Sequence, residues 1–546
     1  MTNIKKGKVY LIGAGPGDPQ LITIKGMECI KKADVVVYDY LAAPALLKYA
    51  RKDTQIIYVG KKGGDHTMSQ EKINQLLVDK GKQGLVVSRL KGGDPFIFGR
   101  GGEEAEALID ADVLFEVVPG VTSAVAAPAY AGIPLTHRDY TSSVSLITGH
   151  EDPLKDESSI RWDTLAKSGS TLVFFMGVKN LPNICEKLIE NGKSPDTPVA
   201  LVRWGTTPKQ QTVSGTLANI VERVAKAKLK PPSLIVVGEV VSLREKMKWF
   251  ENRPFHGKRI VVTRAREQAS DLVAALTELG AECIEIPTIK VMPPSDNTPL
   301  EMAIENINTY DWLIFTSVNG VKFFFDTLFR LGKDVRILGH LQFACIGPVT
   351  KEELKSHGII CDVLPESYRA ESIVDAFQGL NNQGGNGKSE SADIENENIE
   401  SRKIDIKGKR ILLPRAKEAR SVLPEELTKM GAVIDEVTTY ITEQVTDAKD
   451  ELLTLLENAN TDKTKENNDN AGIDIVTFTS SSTVKNFKAL LPQDKFSELM
   501  KGVTVACIGP ITADTAIAEG FKPNIIATEY TIPGLVNAMV EAIKNN

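Results

Sequence analysis

The chain of 546 residues is too long for a single hydrophobic core, and two to four domains are expected. Its hydrophobic and charged fractions, 42% and 25%, are those of an ordinary globular protein, and its net charge of −6 argues against a general nucleic-acid binder. Its six scattered cysteines form no CxxC pair and no apolar run approaches the ~20 residues that span a bilayer, which predicts a metal-free, cytoplasmic chain without a membrane segment.

Short β-branched runs alternate with amphipathic stretches along most of the chain. This alternation predicts an α/β protein whose sheets are largely parallel. The runs that we interpret as strands include KVYLIGAG, ADVVVYD, QIIYVG, GLVVSRL, STLVFFMG, PSLIVVGE, KRIVVTRA, DWLIFTS and FACIGP. Two segments, 381–400 and 459–472, are almost entirely polar and are predicted to be disordered inserts.

The first strand leads into a glycine-rich turn at residues 13–18 (GAGPGD). Glycines after a first strand let a ligand approach the backbone and the N–H groups of the next helix. A tight strand-to-helix turn needs the same glycines. A nicotinamide-dependent oxidoreductase is a further alternative, because Asp39 ends the second strand where a ribose-binding acid would lie. Against it, the glycine spacing is G-x-G-x-G rather than G-x-G-x-x-G.

Two further glycine-rich loops follow strands, at residues 89–101 (RLKGGDPFIFGRG) and 119–123 (PGVTS). Ligands of parallel α/β proteins bind beyond the carboxyl ends of the strands. Three such loops therefore predict one shared cleft.

Together with these loops, residues 36–39 (VVYD), 90–95 (LKGGDP) and 174–177 (FFMG) resemble the tetrapyrrole methylase family, and specifically the uroporphyrinogen-III C-methyltransferases. The resemblance implies a two-domain methylase fold over residues 1–248, with sub-domains of about 1–118 and 119–248. It also implies S-adenosylmethionine as the cofactor. The residues at the matching positions are Pro16, Gly92, Gly93, Asp94, Ile97, Thr122, Ser123, Met176 and Gly205.

The same resemblance implies two catalytic residues, Asp39 as proton acceptor and Lys61 as proton donor. A helix cap for Asp39 and a solvated loop lysine for Lys61 remain alternatives. The expected substrate carries eight carboxylates, so cations are needed near the cleft. The candidates, each of which would serve equally as a surface ion-pair residue, are Arg89, Lys91, Arg100 and Arg138.

The second half of the chain repeats itself after a short linker predicted at residues 249–257. The blocks GKRIVVTRA, FTS and ACIGP return in the same order as GKRILLPRA, FTS and ACIGP. Three matched blocks predict that residues 258–546 form two similar α/β lobes that face each other. A non-catalytic bilobal binding module would show the same pattern.

These blocks also resemble uroporphyrinogen-III synthase, a family that works without a cofactor. The resemblance implies a bilobal fold with one lobe at 258–293 plus 440–546 and the other at 294–439. Tyr440 matches the family's candidate catalytic tyrosine, although a core tyrosine would fit the pattern as well. Weaker candidates for substrate binding are Thr263, Arg264, Ser317, Ser480, Ser481 and Thr512.

The two resemblances together imply a two-enzyme fusion acting on small tetrapyrroles. The C-terminal half would cyclise hydroxymethylbilane to uroporphyrinogen III with inversion of ring D. The N-terminal half would methylate that product twice, at C2 and C7, to give precorrin-2 for siroheme or cobalamin. The resemblance also implies a homodimer formed through the methyltransferase half.

Deleting residues 381–400 is expected to leave both activities and the thermal midpoint nearly unchanged, because so polar a segment contributes little burial. The measurement is a thermal melt with both enzyme assays on the full chain and the deletion variant. A lost synthase transition would contradict the assignment of this segment as an insert.

Overall fold

The computed structural model describes residues 7–60, 68–150, 160–263, 266–365, 370–379, 404–417, 419, 421–444, 449–460 and 472–545. Four sheets of five strands each are flanked by helices, which confirms the predicted α/β class. Within these described residues, none of the helices combines the length and apolar character needed to cross a bilayer. The predicted insert at 381–400 lies outside the described residues, as does most of the second insert, 461–471.

The first sheet is entirely parallel, in the order β3-β2-β4-β1-β5. Its three central strands, β1, β2 and β4, are largely buried and rich in valine, isoleucine and leucine because helices cover both faces of the sheet. The elements in chain order are β1 (Lys8–Gly13), α1 (Ile24–Lys32), β2 (Val35–Tyr38), β3 (Gln55–Tyr58), α2 (Gln70–Lys82), β4 (Val86–Lys91), α3 (Gly101–Asp110) and β5 (Leu114–Val118).

The second sheet is mixed, in the order β6-β7-β10-β8-β9, and differs from the largely parallel arrangement expected. Only β6 and β7 pair in parallel, whereas β10 runs antiparallel to both β7 and β8, and a short loop joins β8 to β9 as an antiparallel pair. The elements are α4 (Ser123–Tyr130), β6 (Val144–Thr148), α5 (Trp162–Lys167), β7 (Thr171–Phe175), α6 (Leu181–Glu190), β8 (Pro198–Arg203), β9 (Gln211–Thr216), α7 (Ile220–Lys226), β10 (Ser233–Val237) and α8 (Arg244–Met247).

The C-terminal half contains two more sheets, in the orders β12-β11-β18-β19-β20 and β13-β17-β16-β14-β15. The elements of this half are β11 (Arg259–Val262), α9 (Arg266–Glu278), β12 (Glu282–Glu285), β13 (Ile289–Met292), α10 (Thr298–Glu305), β14 (Trp312–Phe315), α11 (Val318–Arg330), β15 (Gln342–Cys345), α12 (Pro348–Ser356), α13 (Ala370–Gln378), β16 (Arg410–Ala416), α14 (Val422–Lys429), β17 (Val433–Gln444), α15 (Lys449–Asn460), β18 (Ile475–Phe478), α16 (Ser481–Leu490), α17 (Phe496–Leu499), β19 (Thr504–Cys507), α18 (Pro510–Ala518), β20 (Pro523–Ile526) and α19 (Ile532–Lys544).

The repeated sequence blocks occupy equivalent places in these two sheets. The block GKRI(V/L) forms β11 in one sheet and β16 in the other, and the FTS block ends the neighbouring strands β18 and β14. The ACIGP block ends β19 and β15, which lie next outward. The repeat in sequence is therefore a repeat of structure, three adjacent parallel strands in the same order.

The chain passes between the two lobes at slightly different points from those expected. Residues 289–292 form β13, which pairs antiparallel with β17 of the second sheet, so the first crossing lies before 289 rather than near 293. The second crossing follows β17, which continues to 444 instead of stopping near 440. Residues 289–292 of β13 pair with residues 441–444 of β17, so both segments belong to the second sheet and both lobe boundaries shift accordingly.

Residues 249–257, expected to be a linker, pack against both halves of the chain. Phe250 is 3% exposed, and its ring centroid lies 4.8 Å from that of Tyr130 in the N-terminal half. Phe255 is fully buried in the core cluster that includes β11 and α19. This connection is a joint anchored by two buried phenylalanines and not a solvated tether.

Candidate functional site

Three glycine-rich loops meet at the carboxyl edge of the first sheet. Gly93 N donates to Gly15 O at 2.7 Å, and Gly15 N donates to Gly93 O at 3.2 Å. A Cβ atom on Gly13 would lie 2.4 Å from Gly120 Cα, and one on Gly120 would lie 2.4 Å from Gly93 O. Contacts this short exclude any side chain at these positions. The glycines of the motif are therefore required for the loops to pack together.

A cleft of about 1220 Å³ opens beside these loops, and residues from both sub-domains of the methylase half line it. It exceeds the ~300–1,000 Å³ of most small-molecule sites, which leaves room for two ligands. Asp39 lines the cleft. So do eight of the nine predicted cofactor residues, which are Pro16, Gly92, Gly93, Ile97, Thr122, Ser123, Met176 and Gly205.

The ninth predicted cofactor residue, Asp94, instead joins two of the loops. Its Oδ1 accepts from Phe96 N at 2.8 Å, and its Oδ2 accepts from Gly120 N at 2.9 Å. Asp94 is not among the residues that line the cleft. Both carboxylate oxygens accept from backbone N–H groups of the protein, and the contact of Asp94 with the cofactor stays a prediction.

Strained backbone is concentrated around the cleft. Phe98, Met176 and Trp204 line it with φ angles of 52°, 55° and 48°, and Thr206 beside Trp204 has a φ of 71°. Residues other than glycine adopt this left-handed region at a cost of roughly 1–3 kcal/mol each, and such strain collects at functional sites. The strain marks the cleft independently of the sequence motifs.

Asp39, directly after β2, presents an oriented carboxylate to the cleft. Its Oδ1 accepts from Leu41 N at 3.1 Å, and its Oδ2 accepts from Arg89 Nη2 at 3.0 Å. The side chain remains 27% exposed. A carboxylate held in this way at a cleft surface can accept a proton from a bound molecule.

Arg89 and Lys91 lie beneath Asp39, buried, at 3% and 4% exposure. Both donate to Oε1 of the fully buried Glu104, at 3.3 Å from Arg89 Nε and 2.6 Å from Lys91 Nζ. Burial, together with the neighbouring Arg89 charge, lowers the pKa of Lys91. Both charges are paired inside the protein, and the contact of Arg89 and Lys91 with substrate stays a prediction. Arg89 is a positioning residue for Asp39.

The other predicted cations lie away from the cleft as well. Arg100 pairs with Glu103 on the surface, with Nη2 2.6 Å from Oε2, and its side chain is 56% exposed. Arg138 is exposed on the segment before β6, and neither arginine lines the cleft. Their contact with substrate stays a prediction. Lys61 lies outside the described residues.

In the described part of the chain, the lysines that do line the cleft are Lys179 and Lys209, which sequence reasoning missed. Lys179 follows the 174–177 motif closely, and Lys209 follows Gly205 by four positions. Proximity to these motifs was the available signal. Aromatic side chains, among them Tyr40 and Trp204 with ring centroids 5.6 Å apart, complete the lining.

In the C-terminal half, Tyr440 of β17 meets Ser317 at the end of β14. The two hydroxyl oxygens lie 3.0 Å apart, and Ser317 Oγ also accepts from Gly320 N at 3.0 Å, which caps α11. Tyr440 is 9% exposed, and its ring stacks on Phe323 with centroids 5.9 Å apart. The tyrosine hydroxyl thus belongs to a small polar cluster at the carboxyl edge of the sheet.

Two of the remaining synthase candidates are buried. Thr263 is 1% exposed, and its hydroxyl donates to Thr477 O at 2.8 Å, which joins β11 to β18. Thr512, in the first turn of α18, is 5% exposed. Both side chains are buried, and the contact of these threonines with substrate stays a prediction. Arg264 lies outside the described residues.

Ser480 and Ser481 are partly exposed at the start of α16. Ser480 Oγ accepts from Thr483 N at 3.3 Å in a capping box. Ser481 Oγ accepts from the Thr515 hydroxyl at 2.7 Å. Both hydroxyls therefore have structural partners, and a ligand would have to share them.

Sequence reasoning missed three exposed large apolar side chains that lie at or against the two Gly-Pro turns of the C-terminal half. Val349 and Ile511 are 71% and 70% exposed, and they occupy the same position in the two repeats, directly after the Gly-Pro turns. Tyr530, packed on Gly509 of one such turn, is 66% exposed. Single exposed apolar residues are common on protein surfaces, so the feature that sets Val349 and Ile511 apart is their matching position in the two repeats. The repeated Gly-Pro-Val and Gly-Pro-Ile triplets were the available signal.

Comparison with known proteins matches each half to a family. The family described as Tetrapyrrole (Corrin/Porphyrin) Methylases matches residues 8–221, and Uroporphyrinogen-III synthase HemD matches residues 270–537. The porphyrin biosynthesis protein HemD of Ruminiclostridium josui is 37% identical over 538 residues, 98% of each chain. The uroporphyrinogen-III C-methyltransferase of Bacillus subtilis is 43% identical over 380 residues, 69% of this chain and 77% of that protein. An S-adenosyl-L-methionine-dependent uroporphyrinogen III methyltransferase of Methanosarcina barkeri is 55% identical over 239 residues, 44% of this chain and 94% of that protein.

Fold, cleft and matches define a two-part enzyme of tetrapyrrole biosynthesis, a methylase followed by a synthase. The chain belongs to the family of the porphyrin biosynthesis protein HemD, in which both parts lie on one polypeptide. The predicted resemblance is confirmed. The alternatives, a nicotinamide-dependent oxidoreductase and a non-catalytic binding module, are not supported.

Glu104→Gln is expected to lower the free energy of unfolding by about 3 kcal/mol, because it leaves the buried charges of Arg89 and Lys91 undercompensated. The matched control is Glu103→Gln, which breaks only the exposed ion pair to Arg100 and should cost less than about 1 kcal/mol. Chemical denaturation of the full chain measures both. If both variants lose the same small amount of unfolding free energy, the buried charges of Arg89 and Lys91 do not depend on the Glu104 carboxylate for stability.

Proposed function

We propose that the methylase cleft binds S-adenosylmethionine and uroporphyrinogen III together and transfers two methyl groups, at C2 and C7, to give precorrin-2. The packing of the glycine-rich loops carries this proposal. A Cβ on Gly92 would lie 2.5 Å from Leu41 Cβ, so this position requires glycine, and the Gly92 backbone is open to the cleft. Backbone and small side chains suit the adenosine and methionyl parts, and Met176 offers soft apolar contact.

When bound, S-adenosylmethionine supplies an electrophilic methyl group on a sulfonium. The chain's own residues position the pyrrole carbon and remove the proton that alkylation releases. Asp39 is the proposed proton acceptor, since its carboxylate lies at the cleft surface with Arg89 fixing its orientation. Lys61 is kept as the proposed donor on the family resemblance alone.

For the C-terminal half, we propose cyclisation of hydroxymethylbilane to uroporphyrinogen III with inversion of ring D and without a cofactor. The Tyr440 hydroxyl would donate a proton to the departing hydroxyl of the substrate, and Ser317 would hold it in position at 3.0 Å. Val349, Ile511 and Tyr530 would supply apolar contact for the pyrrole rings. The product would then be the substrate of the methylase half.

The organisation that we propose is a methyltransferase at 1–248 and a synthase at 258–546, in a cytoplasmic homodimer formed through the methyltransferase half. Incubating the full chain with hydroxymethylbilane, with and without S-adenosylmethionine, tests both activities by absorbance and product mass. We expect uroporphyrinogen III without the cofactor and a dimethylated product with it. Formation of the uninverted isomer alone would contradict the synthase activity, and absence of a methylated product would contradict the methyltransferase activity.

Asp39→Asn is expected to preserve binding of S-adenosylhomocysteine and to slow methyl transfer by ~10²-fold or more, because the amide retains the shape but not the basicity. Calorimetry and transfer of labelled methyl groups measure the two quantities. A variant with the unchanged protein's rate would reduce Asp39 to a structural cap for the turn at Leu41.

Tyr440→Phe is expected to slow formation of uroporphyrinogen III and raise the share of the uninverted isomer, because unreacted hydroxymethylbilane closes spontaneously. Stability should change by no more than about 1 kcal/mol, the net size of one hydrogen bond. Tyr310→Phe, which alters another buried tyrosine of the same lobe, is the control and should leave the isomer ratio unchanged. If Tyr440→Phe gives the same isomer ratio and rate as Tyr310→Phe, the shape of the cleft directs the reaction and the Tyr440 hydroxyl has no catalytic role.

A further inference from the structure

The loop between β8 and β9, residues 204–210, carries part of the methylase cleft and is held by the rest of the chain. Gly205 and Lys209 of this loop line the cleft. His256 Nε2 lies 3.1 Å from Gln210 O, and Gln210 Nε2 donates to Glu251 Oε1 at 2.9 Å. The connecting segment therefore fixes the C-terminal end of a cofactor-site loop.

A side chain of the synthase half completes the lining. Glu282, the first residue of β12, lines the methylase cleft. Its Oε1 lies 3.2 Å from Lys209 Nζ and its Oε2 lies 3.1 Å from Arg259 Nε. The Glu282 side chain is 25% exposed and that of Lys209 is 39% exposed. The pair is thus accessible from the cleft and not sealed within the protein.

The Lys209–Glu282 pair matters because lysines are few in the cleft lining and the proposed substrate is an anion. The proposed substrate brings eight carboxylates, whereas the lysines that line the cleft in the described residues are Lys179 and Lys209. Lys209 is already paired with a carboxylate, the same chemical group that the substrate carries at its periphery. A substrate carboxylate and Glu282 would compete for one ammonium group.

We propose that Lys209 binds a peripheral carboxylate of the tetrapyrrole, and that Glu282 occupies this position until the substrate displaces it. The synthase half then sets the affinity of the methylase cleft through one side chain. Arg259 retains the displaced carboxylate, so Glu282 keeps a partner after the exchange. The proposal rests on the methyltransferase function proposed above and adds a specificity residue and its competitor.

Steady-state methyl transfer on the full chain, with uroporphyrinogen III supplied directly, tests Lys209. Lys209→Gln is expected to raise KM for uroporphyrinogen III about tenfold, the scale of a partly exposed hydrogen bond to a charged group, with kcat within about twofold. Binding of S-adenosylhomocysteine should be unchanged. An unchanged KM overturns the proposal, whereas absence of methyl transfer in the unsubstituted chain would instead refute the proposed function.

Glu282→Gln tests the competitor, and Glu285→Gln is its matched control. Glu285, on the same strand, pairs with Lys48 of the methylase half at 2.9 Å, but neither residue lines the cleft. Glu282→Gln should lower KM about two- to fivefold, the range for a weak ion pair, while Glu285→Gln leaves it unchanged. A KM that rises or stays constant in Glu282→Gln, or falls equally in both variants, overturns the competition. Thermal midpoints within about 2 °C of the unsubstituted chain would exclude a folding effect.

Discussion

The close approach of backbone at Gly13, Gly93 and Gly120 is the constraint on which the methylase cleft depends. These segments come so near one another that a Cβ atom would overlap backbone atoms. Asp94 then secures the arrangement by accepting from the Gly120 N–H. Because the loops pack this tightly, Asp39 and the glycines converge on one edge of the parallel sheet, where Met176 and Gly205 of the second sub-domain meet them in the same cleft.

The glycine-rich loops made much of the methylase half predictable, because glycine is required where backbones pack closely and its positions in the sequence therefore indicate the loop geometry. The cations were not predictable in the same way. Arg89 and Lys91 have the residue types of a carboxylate site, but the fully buried Glu104 draws both inward. Lys209 was missed because its role depends on a neighbour, Glu282, that lies more than seventy positions away in sequence. Burial and pairing with residues distant in sequence arise only in the folded chain, so residue type alone does not predict them.

In the C-terminal half the repeat predicted two similar lobes, and the repeated blocks do occupy equivalent strands. Side-chain roles were less accessible. A threonine at a strand end, such as Thr263, suits a ligand or a neighbouring strand equally well, and here it joins strands. The Tyr440–Ser317 pair links β17 to the end of β14, so only the folded sheet brings the two hydroxyls together. The crossing points shifted because β13 pairs antiparallel with β17, which short apolar runs do not reveal.

The joint at 249–257 has a consequence for dividing the protein experimentally. Phe250 and Phe255 each fill a core position, one on the methylase side and one on the synthase side. A cut at 248 would leave the ring of Tyr130 uncovered, and a cut after 257 would remove Phe255 from the synthase core. Fragments that share residues 249–257, each carrying its own copy of the segment, would keep both cores filled.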